Sequence, residues 1–250
     1  MLESGCVVEQ SNRPVCVNPL SVSVNKNGKE RLILDFRHVN QLVEKRKIKF
    51  EGSKEALNYA KKGKFMVKFD LRSGYHHVDI NNKFQRYLGF SWEVNGQVKY
   101  FYVLPFGLTS APYLFTKLMR EIVRYWRTLT FPVIIHLDDG WCCHDRNNCQ
   151  KISKSIRKDL VSASFIVNDE KSVWEPIQRL EWLGFMWDLR QGSIEIPETN
   201  ILHLKNNLYS IIQFPDQVTA RKIASIIGQI ISMSFVCHIM IRNLHWPIIE

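Results

Sequence analysis

Apolar residues follow two rhythms along this chain, short strand-like runs and longer stretches at helical spacing, and the two are interleaved from end to end. Arg31 to Phe36 and Phe65 to Phe69 have the β-branched and aromatic content of strands. Trp92 to Val103 predicts a hairpin, because Asn95-Gly96 supplies the positive-φ residues that a tight turn needs. Ser53 to Ala60 predicts a short helix capped by Ser53, with Leu57 on its inner side. Ser110 to Arg127 has the pattern of a long helix opened by Ser110 and Pro112. Its residues Leu114, Phe115, Leu118, Met119, Ile122 and Val123 fall on one face.

Phe131 to Leu137 predicts a strand running into Asp138-Asp139, where Gly140 permits a sharp reversal into Trp141 to His144. A helix from about Asn148 to Ser162, a hairpin centred on Gly192 and a helical region after Thr219 follow. Ile223 to Ile241 carries no charge. Its serines, Gln229 and His238, with Ile223, Ile226, Ile227, Ile230 and Ile231 at helical spacing, predict a buried amphipathic helix rather than a membrane span. The sum is an α+β pattern with an antiparallel sheet, not the regular alternation of a dinucleotide-binding fold.

At 250 residues and 45% hydrophobic, the chain can build one large domain or two closely packed ones. Lys and Arg outnumber Asp and Glu by 34 to 24, and residues 1–68, with fourteen against seven, carry seven of the ten net charges. Such a field draws phosphate backbones, anionic lipid or acidic partners. Six unevenly spaced cysteines and the lack of a sorting signal predict a reduced, intracellular setting, cytoplasm or nucleus. Cys142, Cys143, His144 and Cys149 do not make a zinc set, because adjacent cysteines on an extended segment face opposite ways and no second ligand pair follows.

An acidic pair at a hairpin tip between apolar strands is costly, since the like charges repel and ionised carboxylates resist leaving water. Two Mg²⁺ ions roughly 3.5–4 Å apart would resolve the repulsion, although Asp-Asp-Gly alone also suits a solvated turn. Lys68-Phe69-Asp70-Leu71-Arg72-Ser73-Gly74-Tyr75 adds a third carboxylate at a strand end, a glycine for close backbone approach and an aromatic. In LPFGLTSAPYLF, Leu104 to Phe115, the residues Pro105, Gly107 and Pro112 set the path of a loop into the long helix.

In this order the motifs resemble the reverse transcriptases of retroelements, in particular Ty3/gypsy and DIRS-like retrotransposons, from about Pro19 to Gly228. The resemblance implies a right-hand polymerase fold, with fingers and an antiparallel-sheet palm interleaved through residues 1–190 and a partial helical thumb over 191–250. It implies an RNA-directed DNA polymerase that takes dNTPs, an RNA or DNA template with primer, and two Mg²⁺ ions, with Mn²⁺ as a substitute. No membrane partner is implied, and the oligomeric state is left open.

By the same resemblance, Val24 to Asn40 is similar to the fingers hairpin, so Lys26 and Arg31 would grip the incoming triphosphate. Asp70 would bind both metals and Tyr75 would gate against the sugar 2′-hydroxyl. Phe106 and Gly107 would lie beside the nucleotide. Asp138 would be the second metal ligand, Asp139 the supporting carboxylate, and Lys171, in Asn168 to Lys171, a candidate general acid. Leu180 to Trp187 resembles the hairpin that holds the primer end, with Trp182 and Trp187 expected to pack rather than stack on bases. His76 and His77 are expected on alternating sides of a strand, in structural roles.

His136 departs from the aromatic, most often tyrosine, that the family carries there, which could alter primer positioning or mark a decaying copy. No ribonuclease H, integrase, recombinase or protease motif is visible, so a piece of a longer product or a truncated gene is expected. The rival expectation is a nucleic-acid-binding relic that no longer polymerises.

Overall fold

A computed structural model describes residues 6–10, 14–24, 28, 30–92, 97–101 and 104–244. The chain opens with strands β1 (Val7–Gln10), β2 (Leu20–Val24) and β3 (Glu30–Leu34) and helix α1 (Arg37–Leu42). Helix α2 (Ser53–Ala56) precedes β4 (Phe65–Asp70), a turn of 3₁₀ helix at Gly74–His77, and α3 (Asn82–Gln85). Strands β5 (Gly89–Trp92) and β6 (Gln97–Phe101) lead to the long helix α4 (Ala111–Thr128). Then come β7 (Val133–His136), β8 (Asp139–His144), α5 (Arg146–Ser162) and β9 (Val173–Ile177). Strands β10 (Arg179–Trp182), β11 (Phe185–Asp188) and β12 (Ser193–Glu195) and helices α6 (Glu198–Gln213) and α7 (Ala220–Leu244) complete the order.

The central sheet runs β7-β8-β4-β9, all antiparallel, with Asp70 directly opposite Asp139 in the β4–β8 register. Side chains alternate across it. Val67 and Phe69 of β4 and Cys142 of β8 join a core with Phe115, Met119 and Trp126 of α4 and Ile156 and Leu160 of α5. Met66, Ile134, Trp141 and Cys143 face the other way, onto Leu180, Trp182 and Trp187 of the β10-β11-β12 sheet. Burial on both faces explains why β4, Lys68 apart, is apolar up to Asp70 and why β7 opens with Val133, Ile134 and Ile135. A third core, with Leu34, Phe36, Leu88, Phe90, Leu104 and Ala111, lies beside the β1-β6-β5 sheet.

Several sequence expectations are corrected. The cap of α2 is Gly52, not Ser53: the extended Gly52 gives its N–H to the Glu55 carboxylate at 2.9 Å, and the helix closes by Ala56. The buried stripe of α4 is Phe115, Met119, Val123 and Trp126, a single i, i+3/i+4 row narrower than the expected face, which leaves Leu114 and Leu118 exposed at its edge. Helix α5 starts at Arg146, since the Asp145 carboxylate accepts from the Asn148 N–H and acts as its cap. The β5 strand begins at Gly89, ahead of the expected start, and its Asn95-Gly96 turn lies outside the described residues. The buried amphipathic helix expected over 223–241 is largely uncovered. Ile226 and Val236 are buried, but Ile223, Ile227, Ile230 and Ile231 are exposed; among the described residues α6 meets it through Asn207 and Gln229, and β11 through Phe185 and Phe235. Among the described residues no helix is long and apolar enough to cross a membrane.

Candidate active site

Three carboxylates meet where β4 ends and the β7–β8 hairpin turns. Leu137 and Asp138 form the two-residue turn, because His136 pairs with Asp139. Leu137 carries the left-handed conformation, at φ 56°, so Gly140 is not the residue that permits the reversal. Gly140 serves a close approach instead: a Cβ there would lie 2.0 Å from Cζ of Phe69. Phe69 therefore packs flat over the backbone beside the acidic pair, stacked on Trp174 with ring centroids 5.7 Å apart. Gly74 matches its expected use, since a Cβ would meet Phe115 at 2.9 Å and Asp138 at 3.3 Å.

Asp70 is 7% exposed and held from several directions. Its backbone N–H donates to Ser172 Oγ at 3.1 Å, and its carbonyl accepts from the Asn168 N–H at 2.9 Å. Asn168 Nδ2 donates to one carboxylate oxygen at 2.8 Å, and Lys171 Nζ sits 3.4 Å from the other. Asp138 and Asp139 are both pushed above the usual carboxylate range, chiefly by burial and secondarily by the neighbouring acids. Asp139 reaches about 6. Lys171 opposes the shift in both.

The remaining candidates divide. Tyr75 lies against Phe106, centroids 4.6 Å apart, and edge-on to Phe115 at 5.5 Å. Burial and the Asp138 charge hold its phenol above the usual range. Phe106 is half exposed, and Gly107 takes φ 94° with its carbonyl accepting from Asn40 Nδ2 at 3.0 Å. Lys26 lies outside the described residues, and for Arg31 only the backbone is described, paired with Ser23. Leu183 and Gly184, both left-handed, turn the β10–β11 hairpin over the Asp139 side of the sheet, and they line a cleft with Asp70, Asp138 and Asp139. Trp182 and Trp187 are buried with Trp141, as expected of packing residues.

His76 and His77 sit on the 3₁₀ turn, not on a strand. His77 Nε2 accepts from the Ile166 N–H at 2.9 Å while its Nδ1 meets the Gly74 carbonyl at 3.0 Å. It thereby joins the Tyr75 segment to the strand-like approach to Asn168. His136 bonds the Glu51 carbonyl through Nδ1 at 2.8 Å and packs on Phe50.

The site holds residues that sequence reasoning missed. Asn168 and Ser172 grip Asp70, and Asn40 grips both ends of the Gly107 loop, accepting from the Thr109 N–H at 2.8 Å. Their signal was slight: small polar residues beside chemical motifs, whose partners lie 67 to 102 positions away.

The donor set suits a hard divalent cation, being all carboxylate oxygen, with one acid held up to about 6 by burial and by its acidic neighbours. Among the described residues no three such side chains already form a metal cage, and both Asp70 oxygens are engaged by Asn168 and Lys171. Lys171, largely exposed, stands as the counter-charge, and its flexible stem can leave without disturbing the sheet.

Solved structures share this architecture. The foamy viral protease-reverse transcriptase dRH in complex with double-stranded DNA superposes with a TM-score of 0.74 at 23% identity, covering 91% of this chain and 37% of that one. The foamy viral protease-reverse transcriptase in complex with RNA/DNA hybrid gives 0.72 at 22% identity, covering 91% and 28%. The fold is the right-hand polymerase fold, with the β7-β8-β4-β9 sheet as its antiparallel palm. The family described as reverse transcriptase (RNA-dependent DNA polymerase) matches residues 23–187, and the chain belongs to that family. The Retrovirus-related Pol polyprotein from transposon gypsy of Drosophila melanogaster is 26% identical over 204 residues, 81% of this chain and 18% of that protein. This agrees with the Ty3/gypsy resemblance, and the chain spans less than a fifth of that relative's length. Reverse transcriptases as a class work with divalent metal ions.

Proposed function

We propose that this chain is the polymerase portion of a retrotransposon polyprotein and copies RNA into DNA by adding deoxynucleotides to a primer 3′-end. The observation that carries this reading is the meeting of Asp70, Asp138 and Asp139 at one cleft, from two strands joined in register. The relatives add support, since the solved foamy viral proteins are described with double-stranded DNA and with RNA/DNA hybrid. Residues 1–190 are assigned to fingers and palm and 191–250 to the thumb. Bound between the three carboxylates, two Mg²⁺ ions would supply activation of the primer hydroxyl and charge for the departing pyrophosphate.

The chain's own residues position and screen. Asp70 is pre-aligned by Asn168 and Ser172, so little reorganisation remains when substrate arrives. Lys171 is placed to give its proton toward a pyrophosphate once it leaves Asp70. Phe106 and Tyr75 form an aromatic wall beside Asp138, suited to pack against a nucleotide sugar. Lys26 and Arg31 are assigned to the triphosphate by resemblance.

Primer extension on a primed RNA with Mg²⁺ tests the reading. Asp138→Asn is expected to abolish extension with duplex affinity largely kept, and undiminished extension by this variant would remove the catalytic assignment. Tyr75→Val is expected to raise ribonucleotide incorporation; an unchanged sugar preference would remove the gate role.

A further inference from the structure

A second pocket lies on the opposite flank of the catalytic turn from Lys171. It occupies about 270 Å³ between α4 and the segment ahead of α2, and Leu137 of the turn forms part of its wall. Three arginines line it, Arg120, Arg124 and Arg127, against a single carboxylate, Glu51. Glu51 is bound by Arg127 through both oxygens, and Arg124 is paired with Glu121. Arg120 donates to the uncharged carbonyl of Lys49, and among the described residues no carboxylate forms an ion pair with it. Its charge is therefore unneutralised at the pocket. Thr116, 8% exposed, also lines the pocket, and its hydroxyl has no hydrogen-bond partner. A buried hydroxyl left unmatched costs free energy unless a ligand or ordered water meets it. Exposed Lys45, Arg46, Lys47 and Lys49 continue the positive surface beyond the pocket.

We propose that this pocket receives a backbone phosphodiester of the nucleic-acid duplex close to the primer end, with Arg120 as the principal contact and Thr116 as a supporting donor. The proposal rests on the polymerase reading, which places the primer terminus at Asp138, one residue from Leu137. A duplex ending there must run its backbone past one flank of the turn. Within that reading the Lys171 flank, where Arg72 and Lys171 stand beside Glu170 and an Asp169 already paired with Arg157, faces the departing pyrophosphate, whereas the Arg120 flank offers a cation with no carboxylate paired to it. A phosphate contact of this kind fixes register without reading sequence.

The test is binding of a primed oligonucleotide duplex to the full chain across a salt series, with nucleotide KM measured alongside. Arg120→Ala is expected to weaken duplex binding about tenfold, equally for unrelated sequences, and to lower the salt slope by about one. Arg120→Lys should restore the slope. Thr116→Val, which keeps shape and removes the hydroxyl, should weaken binding with the melting temperature unchanged or raised. Unchanged affinity and slope in Arg120→Ala overturns the proposal. A raised nucleotide KM with duplex binding intact also overturns it, because the pocket then serves the triphosphate. These binding measurements stand apart from catalysis: wild-type chain that binds duplex but extends no primer defeats the polymerase reading and leaves the pocket to be judged on its own salt slope.

Discussion

The palm sheet and the α6–α7 pair both carry runs of apolar residues and meet opposite fates. In the sheet, Met66, Val67, Ile134, Trp141 and Cys142 are essentially sealed from solvent, because helices cover one face and the β10-β11-β12 sheet the other. In the helical pair, α6 buries no residue fully, and the isoleucines of α7 at 223, 227, 230 and 231 are 45–64% exposed. Hydropathy states what a segment can gain by being covered; topology decides whether a cover is present. The palm supplies its own covers within the chain. Among the described residues Asn207 of α6 bonds Gln229 of α7, and Phe235 of α7 meets Phe185 of β11 with ring centroids 5.1 Å apart. A sealed sheet and a largely uncovered helical pair are the physical result.

The largest expected effect lies at the centre of the sealed region. Trp141 is fully buried among Trp182 and Trp187, with centroids 5.7 and 5.6 Å away, so Trp141→Ala should cost about 3–5 kcal/mol. Urea unfolding checks this. A cost under about 1 kcal/mol would mean that the sheet's second face can collapse around the gap, and the contrast with α6–α7 would lose its basis.

How much of this was legible depended on whether the controlling partner was near in sequence. The Asp138-Asp139 hairpin was readable because apolar runs flank it and the pattern breaks at the acids. Its internal mechanics were not. A left-handed leucine is sterically disfavoured, so Gly140 drew the assignment, yet the glycine is set by the Phe69 ring, seventy-one positions earlier, lying where a Cβ would go. The grip of Asn168 on Asp70 spans 98 positions and leaves no local trace. For α7 the helix itself was legible from isoleucine spacing, and its exposure was not, because period tells which residues share a face and nothing about what that face meets.

A middle-sized effect probes the palm's acidic edge. Asp139 is held up at about 6 by burial, Asp138 and Asp70, against an ordinary 3.8. Its charged form is therefore penalised in the folded chain. The penalty is complete above pH 6 and fades as pH falls through 6 toward 3.8, where the group is protonated in both states. In chelator, Asp139→Asn should raise stability at pH 8 by about 1–2 kcal/mol, after discounting for solvent screening of a part-exposed group, and by almost nothing at pH 3, below the ordinary carboxylate range. Equal gains at both pH values would show that the acid is destabilising for reasons other than its charge.

The smallest expected effect sharpens the comparison most. Ile230 is 50% exposed on α7, so Ile230→Ser removes little burial, and the change in unfolding free energy should stay within about 0.5 kcal/mol. Isoleucine and serine have nearly equal helix propensities, so the substitution carries almost no backbone term and reads out burial. If the variant instead loses more than about 1 kcal/mol, and the loss grows with protein concentration, then the isoleucine face is covered in solution by another copy of the chain. A concentration-independent loss of that size would place the cover within the chain itself, and the palm and the helical pair would differ in degree of packing and not in kind.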